Sequence, residues 1–230
     1  MIILIRKILK PGLIVSCQAL EDEPLHSSKI MARMAVAAQM GGAVAIRANS
    51  GKDIKKIRKE VNIPIIGLVK KDYPDSEIYI TPTMKEVKEV VKAGADIIAV
   101  DATDRLRPNS VTLDEFYKEI KKKYPDIYLM ADVSTFEEGI KADELGFDLI
   151  STTLSGYTSY TSDVNLPNIR LVEQLSKEIK NAVLTAEGGI WSSEDLKKCM
   201  EFSYSAVIGS AITRPQLITK HYVDGMKKIN

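Results

Sequence analysis

Short apolar runs recur along the chain about every 28 residues, and each is rich in valine and isoleucine. There are eight of them, at residues 13–17, 43–47, 65–69, 96–100, 127–131, 148–152, 182–186 and 206–209. Their hydrophobicity is nearly continuous instead of alternating. This pattern predicts strands that are buried on both faces, as they are in a parallel sheet.

Segments with helical periodicity and many charged residues separate these runs. They are residues 29–39, 53–60, 84–92, 113–123, 135–145, 168–180, 193–201 and 216–228. Ser27 and Ser28 are suitable N-cap residues for the first of them, and Gly94 and Gly146 are suitable C-caps for two others. Residues 1–10 predict a further short amphipathic helix that covers one end of the domain, and they lack the pattern of a signal peptide.

Eight strands that alternate with eight helices predict a (β/α)8 TIM barrel, because each parallel step requires a crossover. An open doubly wound sheet is the rival, but it would more often carry Gly-x-Gly-x-x-Gly after its first strand. Residues 17–21 instead read Cys-Gln-Ala-Leu-Glu. No linker or change of composition interrupts the repeats, so we expect residues 1–230 to form a single barrel domain.

Composition narrows the possible functions. Of the 230 residues, 45% are hydrophobic, which excludes a disordered chain. Lys plus Arg number 32 and Asp plus Glu number 31, and this balance argues against a nucleic-acid partner. Two cysteines and two histidines supply neither a disulfide framework nor a metal-ligand pattern. No apolar run is long enough to span a membrane. We therefore expect a cytoplasmic protein without a metal ion.

Polar side chains stand where the predicted strands end, which is where TIM barrels carry their active sites. The candidates are Gln18, Arg47, Lys70, Asp132, Thr153 and Glu187. A polar residue after a strand is often only a turn or capping residue. Arg47 and Lys70 are harder to explain in that way, because a cation that ends an apolar strand loses solvation unless a partner or ligand offsets the loss.

The last two loops predict an anion site. Gly188 follows the seventh predicted strand, and Gly209 and Ser210 follow the eighth. In TIM barrels a phosphate commonly lies between these two loops, and Arg214 is placed to add a bidentate contact. The alternative is that the glycines only form tight turns. Trp191 lies three residues after Gly188, and we expect its side chain to pack against the following helix.

Motifs at the end of every predicted strand resemble one family over almost the whole chain. They lie at residues 12–20 (GLIVSCQAL), 24–28 (PLHSS), 46–49 (IRAN), 66–75 (IGLVKKDYPD), 81–87 (TPTMKEV), 101–103 (DAT), 131–135 (ADVST), 152–158 (TTLSGYT), 186–188 (AEG) and 208–216 (IGSAITRPQ). The chain resembles the bacterial N-acetylmannosamine-6-phosphate 2-epimerases. Ser210 departs from the family, in which a second glycine is common at this position.

The resemblance implies interconversion of N-acetylmannosamine 6-phosphate and N-acetylglucosamine 6-phosphate, in sialic acid breakdown. Inversion at C2 needs a base, a route for reprotonation and stabilisation of the charge on O1. We expect Lys70 to be the base and Glu187 the second acid/base group. One base with a substrate-assisted proton shuttle and two residues on opposite faces both remain open.

The remaining roles follow from the same resemblance. Gln18, Arg47, Asp132 and Thr153 would bind the sugar, whereas Gly188, Gly209, Ser210 and Arg214 would bind the phosphate. The alternative for Asp132 is an ion pair with a neighbouring cation, and the alternative for Glu187 is an ion pair with Lys70 or Arg47 inside the barrel. We expect no cofactor and a homodimer.

A non-catalytic sugar-phosphate sensor on the same barrel is the alternative, although a sensor has no need for both Lys70 and Glu187. A metal-dependent pentulose-phosphate 3-epimerase would need histidine ligands at strand ends. A thiamine-phosphate synthase would need an acidic cluster for magnesium.

Overall fold

A computed structural model describes residues 2–226 and shows eight parallel strands that close into a barrel in chain order. The strands are β1 (Gly12–Cys17), β2 (Ala45–Asn49), β3 (Ile65–Leu68), β4 (Ile97–Asp101), β5 (Tyr128–Asp132), β6 (Leu149–Ser151), β7 (Val183–Glu187) and β8 (Ser205–Ile208). Each of them lies within two residues of its predicted position. The predicted (β/α)8 TIM barrel is therefore confirmed.

The helices are α1 (Ile2–Ile8), α2 (Ser28–Met40), α3 (Gly51–Ile57), α4 (Met84–Ala93), α5 (Leu113–Lys123), α6 (Phe136–Leu145), α7 (Ile169–Glu178), α8 (Ser193–Met200), α9 (Ser210–Thr213) and α10 (Pro215–Met226). Helices α2 to α8 connect successive strands, α1 precedes β1, and α9 and α10 follow β8. The predicted segment 216–228 extends past the described residues at its last two positions. The sequence patterns missed the short helix α9, which has too few residues to show a period.

Capping boxes fix the starts of three helices. In α4, α5 and α6 a threonine N-cap and a glutamate three residues later bond to each other's backbone N–H groups. Glycines in the left-handed conformation follow α4 and α6, as the sequence predicts. These caps set where each βα loop ends, so they help to position the loops that surround the carboxyl ends of the strands.

The short helix α1 closes the amino-terminal end of the barrel, as expected. Its Ile5, and Leu9 just beyond it, are fully buried and pack with Ile14 of β1 in the cluster that fills the barrel interior. The hydroxyl of Tyr204, just before β8, donates a 3.0 Å hydrogen bond to the carbonyl of Leu9. The amino-terminal end is therefore filled with apolar side chains, and the carboxyl end of the strands remains open.

No helix in the described range is both long and apolar enough to cross a membrane.

Candidate active site

A cavity of about 200 Å³ opens at the carboxyl ends of the strands. Its wall includes nine of the predicted site residues: Gln18, Arg47, Lys70, Thr153, Glu187, Gly188, Gly209, Ser210 and Arg214. They come from six of the eight strands or from the loops that directly follow them. Because the carboxyl ends of all eight parallel strands lie at one end of the closed barrel, residues far apart in sequence converge here.

Asp132 is the one predicted site residue that does not line this cavity. Its side chain is completely buried and forms a bidentate ion pair with Arg47, with distances of 2.9 Å to Nη1 and 2.5 Å to Nη2. Its position fits the ion-pair partner of a neighbouring cation better than a direct sugar ligand. It orients a guanidinium that does line the cavity.

Arg47 forms ion pairs with two carboxylates. In addition to Asp132, its Nη1 donates a 3.0 Å hydrogen bond to Oε2 of Glu187. The side chain of Arg47 is only 1% exposed. Burial opposes its charge, but the two carboxylates outweigh that effect and raise the pKa of Arg47 above its ordinary value. The guanidinium therefore provides a permanent positive charge in the cavity wall.

One carboxylate oxygen of Glu187 accepts hydrogen bonds, whereas the other accepts none from the described residues. Its Oε2 is contacted by Arg47, by the Ser151 hydroxyl at 3.1 Å and by the Thr153 hydroxyl at 3.0 Å. Burial raises the pKa of Glu187; Arg47 opposes this shift and Asp132 adds to it. A carboxyl group with a raised pKa can hold a proton more readily than an exposed glutamate, which suits acid–base chemistry.

Lys70 differs from Arg47 because no described side chain pairs with it. Lys70 lies two residues after the end of β3 and is largely buried. Its ammonium makes no hydrogen bond or ion pair with any described side chain. Burial, then Arg214 and Arg47, lower the pKa of Lys70 from 10.5 to about 8, with Glu187 among the groups that oppose the shift. A considerable fraction of this amine is therefore neutral near pH 7–8 and able to accept a proton.

The geometry of the barrel sets Lys70 and Glu187 on opposite sides of the cavity. Lys70 follows β3 and Glu187 ends β7, and these strands are four steps apart in a closed ring of eight. A small molecule between them would meet an amine on one side and a carboxyl group on the other.

The cavity wall formed after β7 and β8 contains three glycines, Gly188, Gly189 and Gly209. Gly188 and Gly189 have φ values of 108° and 68°, which side chains rarely adopt, and a Cβ on Gly189 would lie 2.3 Å from Leu166 Cβ. In the part of the chain that the structure describes, no acceptor takes a hydrogen bond from either N–H. Ser210 begins α9, where the first N–H groups have no partner within the helix. These features suit an anion.

Gln18 carries an unsatisfied buried oxygen. Its Nε2 donates a 2.9 Å hydrogen bond to the hydroxyl of Ser16, whereas its Oε1 is buried with no partner. Both residues line the cavity. Since a buried carbonyl without a donor is costly, a ligand hydroxyl or N–H at this position would remove the cost.

Three aromatic residues in the cavity wall were not selected from the sequence. They are Tyr79, Tyr157 and Trp191. Tyr157 lies in the long segment 152–168 between β6 and α7, directly after Gly156, whose φ is 82°. The assignment of Trp191 to packing against the following helix misses its place in the cavity wall, where its ring stacks on that of His221 at 5.0 Å between centroids. Periodicity gives no signal for such residues, because irregular loops place them.

Between residues 2 and 226, no cluster of three or more His, Cys, Asp or Glu side chains is arranged to hold a metal ion.

Fold and cavity together define a class: a (β/α)8 barrel whose open end combines an unpaired amine, a buried carboxyl group and a loop wall suited to an anion. This combination is typical of barrel enzymes that move protons on phosphorylated small molecules.

The family model described as "Putative N-acetylmannosamine-6-phosphate epimerase" matches residues 31–228. A protein of Caldanaerobacter subterraneus subsp. tengcongensis is 57% identical over 221 residues, which cover 96% of this chain and 93% of that protein. A protein of Borreliella burgdorferi is 50% identical over 232 residues, which cover 100% and 99%. Both are named "Putative N-acetylmannosamine-6-phosphate 2-epimerase". The chain belongs to this epimerase family, and the resemblance read from its motifs is confirmed.

Solved structures agree. The N-acetylmannosamine-6-phosphate 2-epimerase from Clostridium perfringens is 52% identical and superimposes with a TM-score of 0.90, over 96% of this chain and 95% of that one. The thiamine phosphate pyrophosphorylase from Pyrococcus furiosus reaches a TM-score of 0.61 at 16% identity, over 93% and 94%. That second likeness shows the barrel fold alone.

Proposed function

We propose that this chain interconverts N-acetylmannosamine 6-phosphate and N-acetylglucosamine 6-phosphate by removing and returning the proton at C2, in the breakdown of sialic acid. The observation that carries the proposal is the pair Lys70 and Glu187. They reach one cavity from opposite strands, and Lys70 has no carboxylate partner among the described residues. Membership of the epimerase family supplies the substrate class.

The chemistry requires the open-chain sugar, in which C2 lies beside the C1 aldehyde. Removal of the C2 proton then gives an enolate, and return of a proton to the other face inverts the centre. Lys70, with a pKa near 8, is the base. Glu187, whose raised pKa lets it hold a proton, is the acid/base group on the other side of the cavity.

Arg47 supplies the charge that stabilises the enolate oxygen, since a fixed cation in a buried wall needs no reorganisation during the reaction. Asp132 and Thr153 assist it: the Thr153 hydroxyl lies 2.6 Å from Asp132 and within 3.0 Å of Glu187. Thr153 also lines the cavity and can bind a sugar hydroxyl. The unsatisfied Oε1 of Gln18 accepts a hydrogen bond from a sugar hydroxyl or from the acetamido N–H.

The phosphate is held by Gly188, Gly209, Ser210 and Arg214, which share the wall after β7 and β8. Backbone N–H groups and a guanidinium are the usual donors for a phosphate dianion. Anchoring at this end fixes the sugar so that C2 lies between Lys70 and Glu187.

Exchange of the C2 proton with deuterated solvent tests the proposal. Lys70→Ala should reduce exchange by about 10²–10⁴-fold, the usual contribution of a general base, while sugar-phosphate binding is retained. Lys71→Ala, which changes the exposed neighbouring lysine, is the matched control and should exchange like the unmodified protein. Undiminished exchange in Lys70→Ala would remove Lys70 from this role. An unmodified protein that binds the sugar phosphate without exchange would be a sensor instead.

We further propose that the chain works as a single barrel domain in a cytoplasmic homodimer. Helix α10 supports the dimer, because none of its described residues is buried and Tyr222, Val223 and Met226 are exposed together. Sedimentation equilibrium tests it: a mass of one chain would contradict the dimer.

A further inference from the structure

Glu23 forms an ion pair with Arg214 between two neighbouring segments of the barrel, one after β1 and one after β8. Glu23 lies in the loop between β1 and α2, and Arg214 lies between α9 and α10. The carboxylate contacts the guanidinium at two atoms: Oε2 accepts a 3.0 Å hydrogen bond from Nη2, and Oε1 forms an ion pair with Nε at 2.9 Å. This is a bidentate pair, the geometry that fixes both the position and the plane of an arginine.

The carboxylate is itself anchored by two other donors. Gln216 Nε2 donates to Oε1 at 2.9 Å, and the N–H of Leu20 donates to Oε2 at 2.7 Å. Side-chain exposure is 15% for Glu23 and 23% for Arg214, so the pair is partly shielded from water. A partly shielded pair whose carboxylate accepts three hydrogen bonds is less mobile than an exposed surface ion pair.

We infer that Glu23 is a positioning residue that presets Arg214 for the phosphate of the substrate, an inference that rests on the proposed function. Glu23 occupies the edge of the guanidinium formed by Nε and Nη2. The Nη1 protons and the second Nη2 proton remain for a ligand in the cavity that Arg214 lines. The loop of Glu23 also carries Gln18, so one carboxylate links the sugar side and the phosphate side of the site.

Two effects of Glu23 oppose each other. Its negative charge repels a phosphate dianion, whereas its hydrogen bonds orient the cation that binds the dianion. Because the Glu23 carboxylate is already paired with the guanidinium and accepts hydrogen bonds from Gln216 and Leu20, its charge is largely compensated and the repulsion is small. Loss of orientation should therefore dominate, and removal of Glu23 should weaken phosphate binding instead of strengthening it.

The test compares Glu23→Gln and Glu23→Asp with Glu21→Gln, which changes an exposed acidic residue of the same loop. Glu23→Gln turns an amide N–H toward the guanidinium, and Glu23→Asp keeps the charge but shortens the reach. Both should raise KM for N-acetylmannosamine 6-phosphate about tenfold and weaken competitive inhibition by inorganic phosphate. Their kcat should stay within about twofold, because the reacting carbon lies elsewhere. Glu21→Gln should match the unmodified protein, and thermal unfolding confirms that each variant is folded.

Arg214→Ala completes a double-mutant cycle. If Glu23 acts through Arg214, Glu23→Gln should have no further effect on KM in the Arg214→Ala background. An unchanged KM in Arg214→Ala would contradict the proposed phosphate site itself. A raised KM in Arg214→Ala with unchanged or lowered KM in both Glu23 variants would overturn only the inference about Glu23.

Discussion

The two ends of the barrel are built from the same strands but use their inward-facing positions in opposite ways. At the amino-terminal end, Ile5, Leu9 and Ile14 are fully buried and apolar. At the carboxyl end, Arg47 and Asp132 are equally buried and carry charges. Apolar burial stabilises the fold directly, by about 25 cal/mol per Å². Buried charges lose hydration, and their mutual attraction recovers that loss only when the pairing is complete.

The cations at the open end differ in their number of carboxylate partners. Arg47 has two carboxylate partners, Arg214 has one, and Lys70 has none among the described residues. The lowered pKa of Lys70 is the consequence, with burial as its largest cause. The amino-terminal end therefore stabilises the fold, whereas the open end holds one charge in an unfavourable state, as the role proposed for Lys70 requires.

The largest expected effect is that of Arg47→Ala. Removal of the guanidinium leaves the carboxylates of Asp132 and Glu187 buried without their shared cation. Both would then depend on the hydroxyl of Thr153, which lies 2.6 Å from Asp132 and 3.0 Å from Glu187. The free energy of unfolding should fall by about 3–5 kcal/mol, the cost of breaking a buried pair. Urea unfolding measures it.

A surface arginine supplies the control for this prediction. Arg33 forms a 3.7 Å ion pair with Glu60 and is 69% exposed. Arg33→Ala should change the free energy of unfolding by no more than about 1 kcal/mol. Equal losses in the two variants would mean that the buried network does not depend on Arg47, and the contrast between the two ends would fail.

The fold was predictable because it depends on patterns that repeat. All eight strands follow from Val- and Ile-rich runs, and the ends of α4 and α6 follow from Gly94 and Gly146. The strands form where the local sequence pattern predicts them, so the local pattern and the tertiary packing agree. Boundaries moved by one or two residues, since hydrophobicity does not mark where a ladder hydrogen bond ends.

The candidate site was predictable only in part. Lys70 and Glu187 stand at strand ends, so the topology alone places them at one edge. Tyr157 and Glu23 belong to irregular loops whose path depends on backbone turns and on single hydrogen bonds. Their roles therefore required coordinates. The sequence also left Asp132 as either a sugar ligand or an ion-pair partner, and its bidentate pair with Arg47 favours the second.

The next expected effect belongs to the closed end. Leu9→Ala removes a fully buried side chain from the interior cluster and should cost about 3 kcal/mol, within the usual range for such truncations. Leu4→Ala, on the same terminal segment but 52% exposed, should cost less than about 0.5 kcal/mol. The kcat of the folded Leu9→Ala enzyme should be unchanged. A large fall in kcat at temperatures where the protein is folded would show that the closed end also shapes the active site.

The smallest effect has the opposite sign. Lys70→Met should lower exchange at C2 as much as Lys70→Ala does. It should nevertheless raise the free energy of unfolding at pH 7 by about 2 kcal/mol, because an apolar side chain of similar length replaces a buried ammonium that no described carboxylate pairs with. The folded pKa of Lys70, about 8, lies below its ordinary 10.5, so the unfolded chain binds the proton more tightly. The penalty on the native protein is thus full below about pH 8 and disappears as the pH rises to 10.5. The advantage of Lys70→Met should shrink over the same interval in urea unfolding at pH 7, 9 and 10.5.

Lys71→Met, at the exposed neighbouring position, should show neither the gain nor its pH dependence. A loss of stability in Lys70→Met would mean that the ammonium is well solvated in the native protein, and the contrast between the two ends would then rest on Arg47 alone.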